Sequence, residues 1–289
     1  MNMKNNLGVK TFVLSALFSI FACPICAGGN ISNAKTAEMK VKSVKINGYV
    51  GGRIDDCINH RVMEEDVDAL VEPFRHRDET WRWKSEFWGK WTLGAIATYR
   101  YTGNAALYEK IAASVGQIIE TQSPDGYIGN YAPEAQLKDW DIWGRKYTML
   151  GLLAWYELSG DTHALAAASR VADHLISQLK SKNVKIVKCG LYRGMASSSV
   201  LEPVMKLYNI SGDKRYLDFA TDIVSQWESP DGPKLVSRSD VPVALRFPHP
   251  ATKWFSYENG AKAYEMMSCY EGLLEYYKVT GNEAYYEAV

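Results

Sequence analysis

The sequence has no excess of either charge: Lys plus Arg and Asp plus Glu each number 33 in 289 residues. Nor do the positive charges gather into a stripe. Affinity for nucleic acid rests on clustered cationic side chains, so this balance argues against a nucleic-acid partner. Glycine (22) and proline (10) are too few for a low-complexity chain, and 47% hydrophobic with 23% charged residues is the mixture of a globular protein. Cysteine is scarce. Of the five, Cys23 and Cys26 fall in the leading segment, which leaves Cys57, Cys189 and Cys269 at spacings that match no compact zinc motif. Three thiols cannot all pair internally, and each reads as a buried, unpaired cysteine. His60, His76, His163, His174 and His249 show no metal-ligand spacing either, so no metal site is read within this chain. A P-loop, a dinucleotide fingerprint and a Gly-x-Ser-x-Gly elbow are all missing. So are strand-like alternation and an Asn-Gly hairpin.

Only one long apolar run occurs. Thr11–Ala22 has twelve residues, too few to cross a hydrocarbon layer of about 30 Å as a helix. Lys4 and Lys10 precede it, and small residues with a cleavage point at Ala27-Gly28 follow it. Residues 1–27 therefore read as a secretory signal peptide, with 28–289 the mature chain, periplasmic or extracellular. A lipoprotein anchor at Cys23 would need a small residue where bulky Phe21 stands. No later segment is long and apolar enough to span a membrane.

Aromatic residues are abundant: 9 Trp, 18 Tyr and 8 Phe. So is one repeated phrase. Tyr99-Arg-Tyr-Thr-Gly103-Asn104, Tyr156-Glu-Leu-Ser-Gly160-Asp161, Tyr208-Asn-Ile-Ser-Gly212-Asp213 and Tyr277-Lys-Val-Thr-Gly281-Asn282 recur at intervals of 57, 52 and 69 residues. Such periods dictate architecture. Glycine can take the left-handed conformation that ends a helix, and the Asn or Asp after it can cap the next. Each phrase is thus a helix–turn–helix corner. Before each glycine lies a stretch apolar around much of its circumference (88–101, 147–158, 200–210, 263–279), as in helices buried on two sides. After each comes a one-sided helix (105–121, 163–180, 214–227, and one begun at Glu283). The pattern predicts an all-α fold, an α/α toroid of about four helical hairpins.

In such a toroid the loops entering the inner helices gather at one end. Those loops are Trp81–Trp91, Gln122–Tyr147, Arg193–Pro203 and Trp254–Glu265. Rings interleaved with carboxylates, amides and cations suit a saccharide, whose C–H faces stack on aromatics while its hydroxyls need fixed polar partners. Candidate binding residues are Glu86, Trp88, Gln122, Asp125, Trp140, Asp141, Arg145, Lys146, Glu202 and Lys262. Asp125 and Asp141 are the carboxylate pair to weigh for acid–base catalysis. Bland accounts stand beside each. The tryptophans could fill the core, Asp125-Gly126 is first a turn, and Ser199-x-x-Glu202 fits a capping box. Lys262, Glu265 and Cys269 share a helical face, as a Lys–Glu pair beside a core cysteine would.

Glu86-Phe-Trp-Gly-Lys-Trp91, Gln122-x-x-Asp125-Gly126-Tyr127-Ile-Gly129, Trp140-Asp-x-Trp-Gly-Arg-Lys-Tyr147 and Ser197-Ser-Ser-x-Leu-Glu202-Pro203 occur in one order. Together they resemble the β-L-arabinofuranosidase superfamily of glycoside hydrolases, family 127 and its six-hairpin relatives, from about Val41 onward. The resemblance implies an (α/α)6 barrel followed by β-sandwich domains, cleaving terminal arabinofuranose-type sugars. It also implies a cysteine thiolate nucleophile activated by zinc in the full-length relatives, held through a Glu-x-Cys motif and a later Cys-Cys pair. This chain contains neither motif. Lys262 stands where the family has a substrate-binding His, and Trp140-Asp141 where it has His-Glu. The expectation is an exported glycoside hydrolase lacking the zinc–cysteine segment, about two-thirds of a barrel and prone to aggregate. The alternatives are an inactive or saccharide-binding fragment, or a carboxylate-dependent uronyl hydrolase or epimerase on the same barrel.

Overall fold

The computed structural model describes residues 44–248 and 262–289. The signal-peptide segment with Cys23 and Cys26, and residues 249–261 with Trp254, Tyr257, Glu258 and His249, lie outside the described residues.

All regular elements among the described residues are helical. An exposed helix α1 (Gly48–Cys57) runs on through a π-helical turn (Ile58–Val62) to α2 (Val67–His76). Four hairpins follow: α3 (Glu86–Thr102) with α4 (Ala105–Glu120), and α5 (Asp141–Ser159) with α6 (Thr162–Ser181). After the short α7 (Met195–Ser198), α8 (Leu201–Ser211) pairs with α9 (Lys214–Trp227). After the short α10 (Val243–Arg246), α11 (Ala263–Thr280) pairs with α12 (Glu283–Ala288). The four expected inner helices and four outer ones are all present, their ends shifted by at most six residues. Helices α1 and α2 were not expected. Helix α2 is capped by Asp66, whose side chain accepts from Ala69 N at 3.1 Å. Lys110 of α4 fastens its leading turn by donating to the carbonyls of Met63 (2.7 Å) and Glu65 (2.6 Å).

The corners share one chemistry. Gly103, Gly160, Gly212 and Gly281 have φ of +66°, +76°, +69° and +67°. Their N–H groups donate to the carbonyls of Tyr99, Tyr156, Tyr208 and Tyr277 at 2.7–2.8 Å. The Ser or Thr before each glycine turns its hydroxyl onto the carbonyl four residues back, as Ser159 does with Trp155 at 2.7 Å. Asn104, Asp161, Asp213 and Asn282 then cap the outer helices, accepting from Leu107, His163, Arg215 and Ala284 at 2.9–3.1 Å.

Glycines also let the inner helices approach. A Cβ on Gly89 would collide with the Tyr147 carbonyl, and one on Gly144 with the Ser85 hydroxyl. A Cβ on Gly272 would stand 2.7 Å from Glu202 N. Residue 85 therefore lies beside 144 and 89 beside 147, while Ser198, just ahead of α8, meets Cys269 of α11 at 3.9 Å and 202 lies beside 272. Numbers rise together in both pairs, so α3 runs parallel to α5 and α8 to α11. Their first turns share one end of the molecule and the glycine corners lie at the other. Cys189 and Cys269 are buried, whereas Cys57, expected inside, is exposed on α1.

Candidate functional site

Each inner helix begins with an acid: Glu86 on α3, Asp141 on α5, Glu202 on α8 and Glu265 on α11. Carboxylates are favoured there by the unpaired N–H groups of a helix start. Two of the four, Glu86 and Glu202, meet side chains of a neighbouring helix. Glu86 receives Lys90 Nζ on Oε1 at 2.8 Å and the Trp143 indole N–H on Oε2. Lys90 lies 4.9 Å and 5.1 Å from the ring centres of Tyr147 and Tyr264, an attraction of cation for ring face. The hydroxyls of Tyr147 and Tyr264 meet at 2.7 Å. Trp143 stands edge-on to both rings, at 5.3 Å and 5.4 Å.

The adjacent turn of α5 carries Lys146, with a side chain only 1% exposed. Its ammonium lies 3.5 Å from Glu202 Oε2 and 3.9 Å from Glu271 Oε2, and over the rings of Tyr147 and Trp143 at 5.2 Å and 5.3 Å. Lys206 approaches the other Glu202 oxygen at 3.9 Å. Burial pushes the Glu202 carboxyl above its ordinary range, and Lys146 and Lys206 offset only part of that. Burial likewise raises Glu265, whose cationic neighbours are Lys262 and Lys90 and whose nearby like charge is Glu86. Tyr147 is raised by burial and by its bond to Tyr264. The result is a buried aromatic wall with alternating carboxylates and ammonium groups, assembled from α3, α5, α8 and α11.

Glu86, Lys146, Glu202 and Lys262 from the expected set meet at this wall. Trp140 adjoins it, edge-on to Trp143 at 5.8 Å and to Trp83 at 5.9 Å. The other five do something different. Trp88 is fully buried and donates to Ser114 at 2.8 Å, tying α3 to α4. Gln122 donates to the carbonyls of Gly126 (2.9 Å) and Ala167 (3.0 Å), which clips its loop to α6. Asp125, its side chain 65% exposed, folds back on the Ser123 hydroxyl and Tyr127 N, and hydrogen bonding from Ser123 holds its carboxyl below the usual range. Asp141 is buried with both oxygens engaged. Oδ1 accepts from the Tyr127 hydroxyl at 2.8 Å, and Oδ2 from Leu137 N at 2.8 Å and Arg145 Nη2 at 2.6 Å. Arg145 donates onward to Gln178 (2.9 Å) and His174 Nδ1 (3.1 Å), and His174 Nε2 reaches Asp125 at 3.3 Å. Asp125 and Asp141 are thus the two ends of a chain that pins the α5 entry to α6. Both Asp141 oxygens are engaged in that chain, and the residue is 1% exposed.

Sequence reasoning passed over Lys90, Trp143, Tyr147, Tyr264, Glu265 and Glu271 as site residues. The first five stand in the aromatic loops and could have been found there; Glu271 has no local signal. The capping box did not form. Ser199 Oγ donates to the Ala196 carbonyl at 2.8 Å instead, which leaves the Glu202 carboxylate to the lysines. The residues present do not fit a zinc–thiolate centre. Among the described residues no three His, Cys, Asp or Glu side chains come together as metal ligands. Cys269 donates to the Met195 carbonyl at 3.3 Å, and burial pushes its thiol up to about 12. No helix among the described residues is long and apolar enough to cross a membrane.

A sequence model of the β-L-arabinofuranosidase GH127 catalytic domain matches residues 36–230. A GH127 β-L-arabinofuranosidase from Geobacillus stearothermophilus T6 superposes with a TM-score of 0.55 at 14% identity, over 82% of this chain and 40% of that one. A GH127 β-arabinofuranosidase gives 0.51 at 17% identity, over 86% of this chain and 41% of its own. A third structure, described as a glycoside hydrolase, gives 0.50 at 18% identity, over 85% and 34%. At these identities the likeness is one of fold, and the chain spans well under half the length of each structure. No curated protein matches the sequence.

Proposed function

Because this chain belongs to the β-L-arabinofuranosidase GH127 catalytic-domain family, we propose that its inner-helix end binds the terminal sugar of an arabinofuranoside-type glycan for hydrolysis. One observation carries this: the convergence of Trp143, Tyr147 and Tyr264 with Glu86, Lys90, Lys146 and Glu202 at the first turns of four helices. Tyr264, about half exposed and backed by the buried Trp143 and Tyr147, offers a ring to the C–H surface of a furanose, and fixed charges complement its hydroxyls. Lys146 and Lys90 hold the carboxylates at set positions, so binding needs little reorganisation. Export through residues 1–27 belongs to the same proposal, since glycans of this class lie outside the cell. Zinc belongs to the expectation for longer relatives; the residues described do not supply its ligands.

Calorimetric titration of the chain with methyl β-L-arabinofuranoside tests the proposal, alongside assay of arabinose release. Binding by the wild type that weakens at least about tenfold in Glu86→Gln, which removes the charge that fixes Lys90 and Trp143 in the wall, supports it. No binding by the wild type, or equal binding by Glu86→Gln and Lys146→Met, refutes it.

A further inference from the structure

Of the acids that open the inner helices, Glu86 has both oxygens engaged by Lys90 and Trp143, and Glu202 faces Lys146 and Lys206. Asp141 is consumed by Tyr127, Leu137 and Arg145. Glu265 differs. It is 1% exposed, yet its Oε2 has no hydrogen-bond partner among the described residues. The nearest cation, Lys262 Nζ, stands 3.9 Å away, beyond hydrogen-bond reach. A buried carboxyl oxygen left without a partner is costly, and native proteins rarely keep one without use. Its neighbours on the same helix turn are Lys262, which lies over the Tyr192 ring at 5.6 Å, and Tyr264 of the aromatic wall.

The geometry assigns Glu265 as a substrate-contacting residue whose unpartnered Oε2, closed to solvent in the sugar-free protein, hydrogen-bonds one hydroxyl of the sugar when binding parts the side chains over it. This rests on the arabinofuranoside proposal above and adds to it the residue that reads a particular hydroxyl. Engaging that oxygen completes its hydrogen bonding only when sugar is present, so the cost carried by the free protein becomes selectivity for ligands bearing the hydroxyl.

A residue–ligand cycle tests this by titrating methyl β-L-arabinofuranoside and its 2-, 3- and 5-deoxy forms against wild type, Glu265→Ala and the isosteric Glu265→Gln. The expected result is that wild type loses at least about tenfold in affinity on removal of one of the hydroxyls. Glu265→Ala binds the parent correspondingly more weakly and no longer distinguishes that deoxy sugar, while Glu265→Gln recovers part of the discrimination. Thermal melting of each variant checks that its fold is kept; should Glu265→Ala unfold, the Glu265→Gln arm decides. Losses that simply add for all three deoxy sugars, or a variant that binds like wild type, overturn the assignment while the arabinofuranoside proposal stands. A wild type that binds none of the four sugars overturns both.

Discussion

Lys146 is an ammonium group in a nearly dry setting, tolerable because carboxylates of α8 and α11 and two ring faces surround it. Removing one partner leaves the charge uncompensated. Glu202→Leu should therefore destabilise the protein by about 3 kcal/mol, the lower end for a broken buried pair because Glu271 remains nearby; urea denaturation measures it. His174 gives a different kind of test. Arg145 can only donate, so His174 Nδ1 accepts and the ring's proton sits on Nε2, facing Asp125. Burial, reinforced by Arg145, holds the His174 pKa below its ordinary 6.5. The sign follows from linkage. Protonation is easier in the unfolded chain, so stability from the neutral ring is complete above about 6.5 and declines as pH falls toward the lowered folded value. Urea midpoints followed downward from about pH 7 should fall in the wild type and fall less in His174→Gln. Equal slopes would show that the ring is not held neutral.

At the scale of elements, the corners were legible because their chemistry is local: a left-handed glycine, a hydroxyl turned back and a cap all lie within six residues. Gly160 needs its glycine for conformation alone, since a Cβ there would meet nothing within 4 Å. Gly160→Ala should cost about 1–2 kcal/mol, the penalty of a left-handed non-glycine residue, and Gly160→Asn less. Gly89 is the opposite case, an ordinary helical position where a Cβ would meet the Tyr147 carbonyl. Gly89→Ala should cost about 1–3 kcal/mol by overpacking, and it should also perturb the site, since Tyr147 belongs to the wall. Helices α1 and α2 escaped the sequence because they lie ahead of the repeat and carry no glycine corner. The candidate site was half legible. First-turn position picked out Glu86, Lys146, Glu202 and Lys262, but position could not tell which acids are consumed structurally. Asp141 and Arg145 are four apart on one helix and satisfy each other; Lys146 and Glu202 are on different helices, and only packing brings them together.

For the molecule as a whole, parallel inner helices place chemistry at one end and connectivity at the other. The corner end holds glycines and caps, whose work is finished once the chain has turned. The opposite end holds buried carboxylates, a buried lysine and an unpaired carboxyl oxygen, groups that are costly in stability and that the proposed saccharide site puts to use. A groove of about 1000 Å³ between α6 and α9, lined by Asp173, Lys180, Lys185 and Arg215, lies on the outer helices. Hydrogen–deuterium exchange of the whole chain, with and without methyl β-L-arabinofuranoside, separates these regions in one measurement. Added glycoside should slow exchange in segments 81–90, 140–147, 195–202 and 262–271, and leave the corners at Gly103, Gly160, Gly212 and Gly281 unchanged. Protection confined to the corners or to the α6–α9 groove, or none at all, would contradict the assignment of the inner-helix end as the saccharide site.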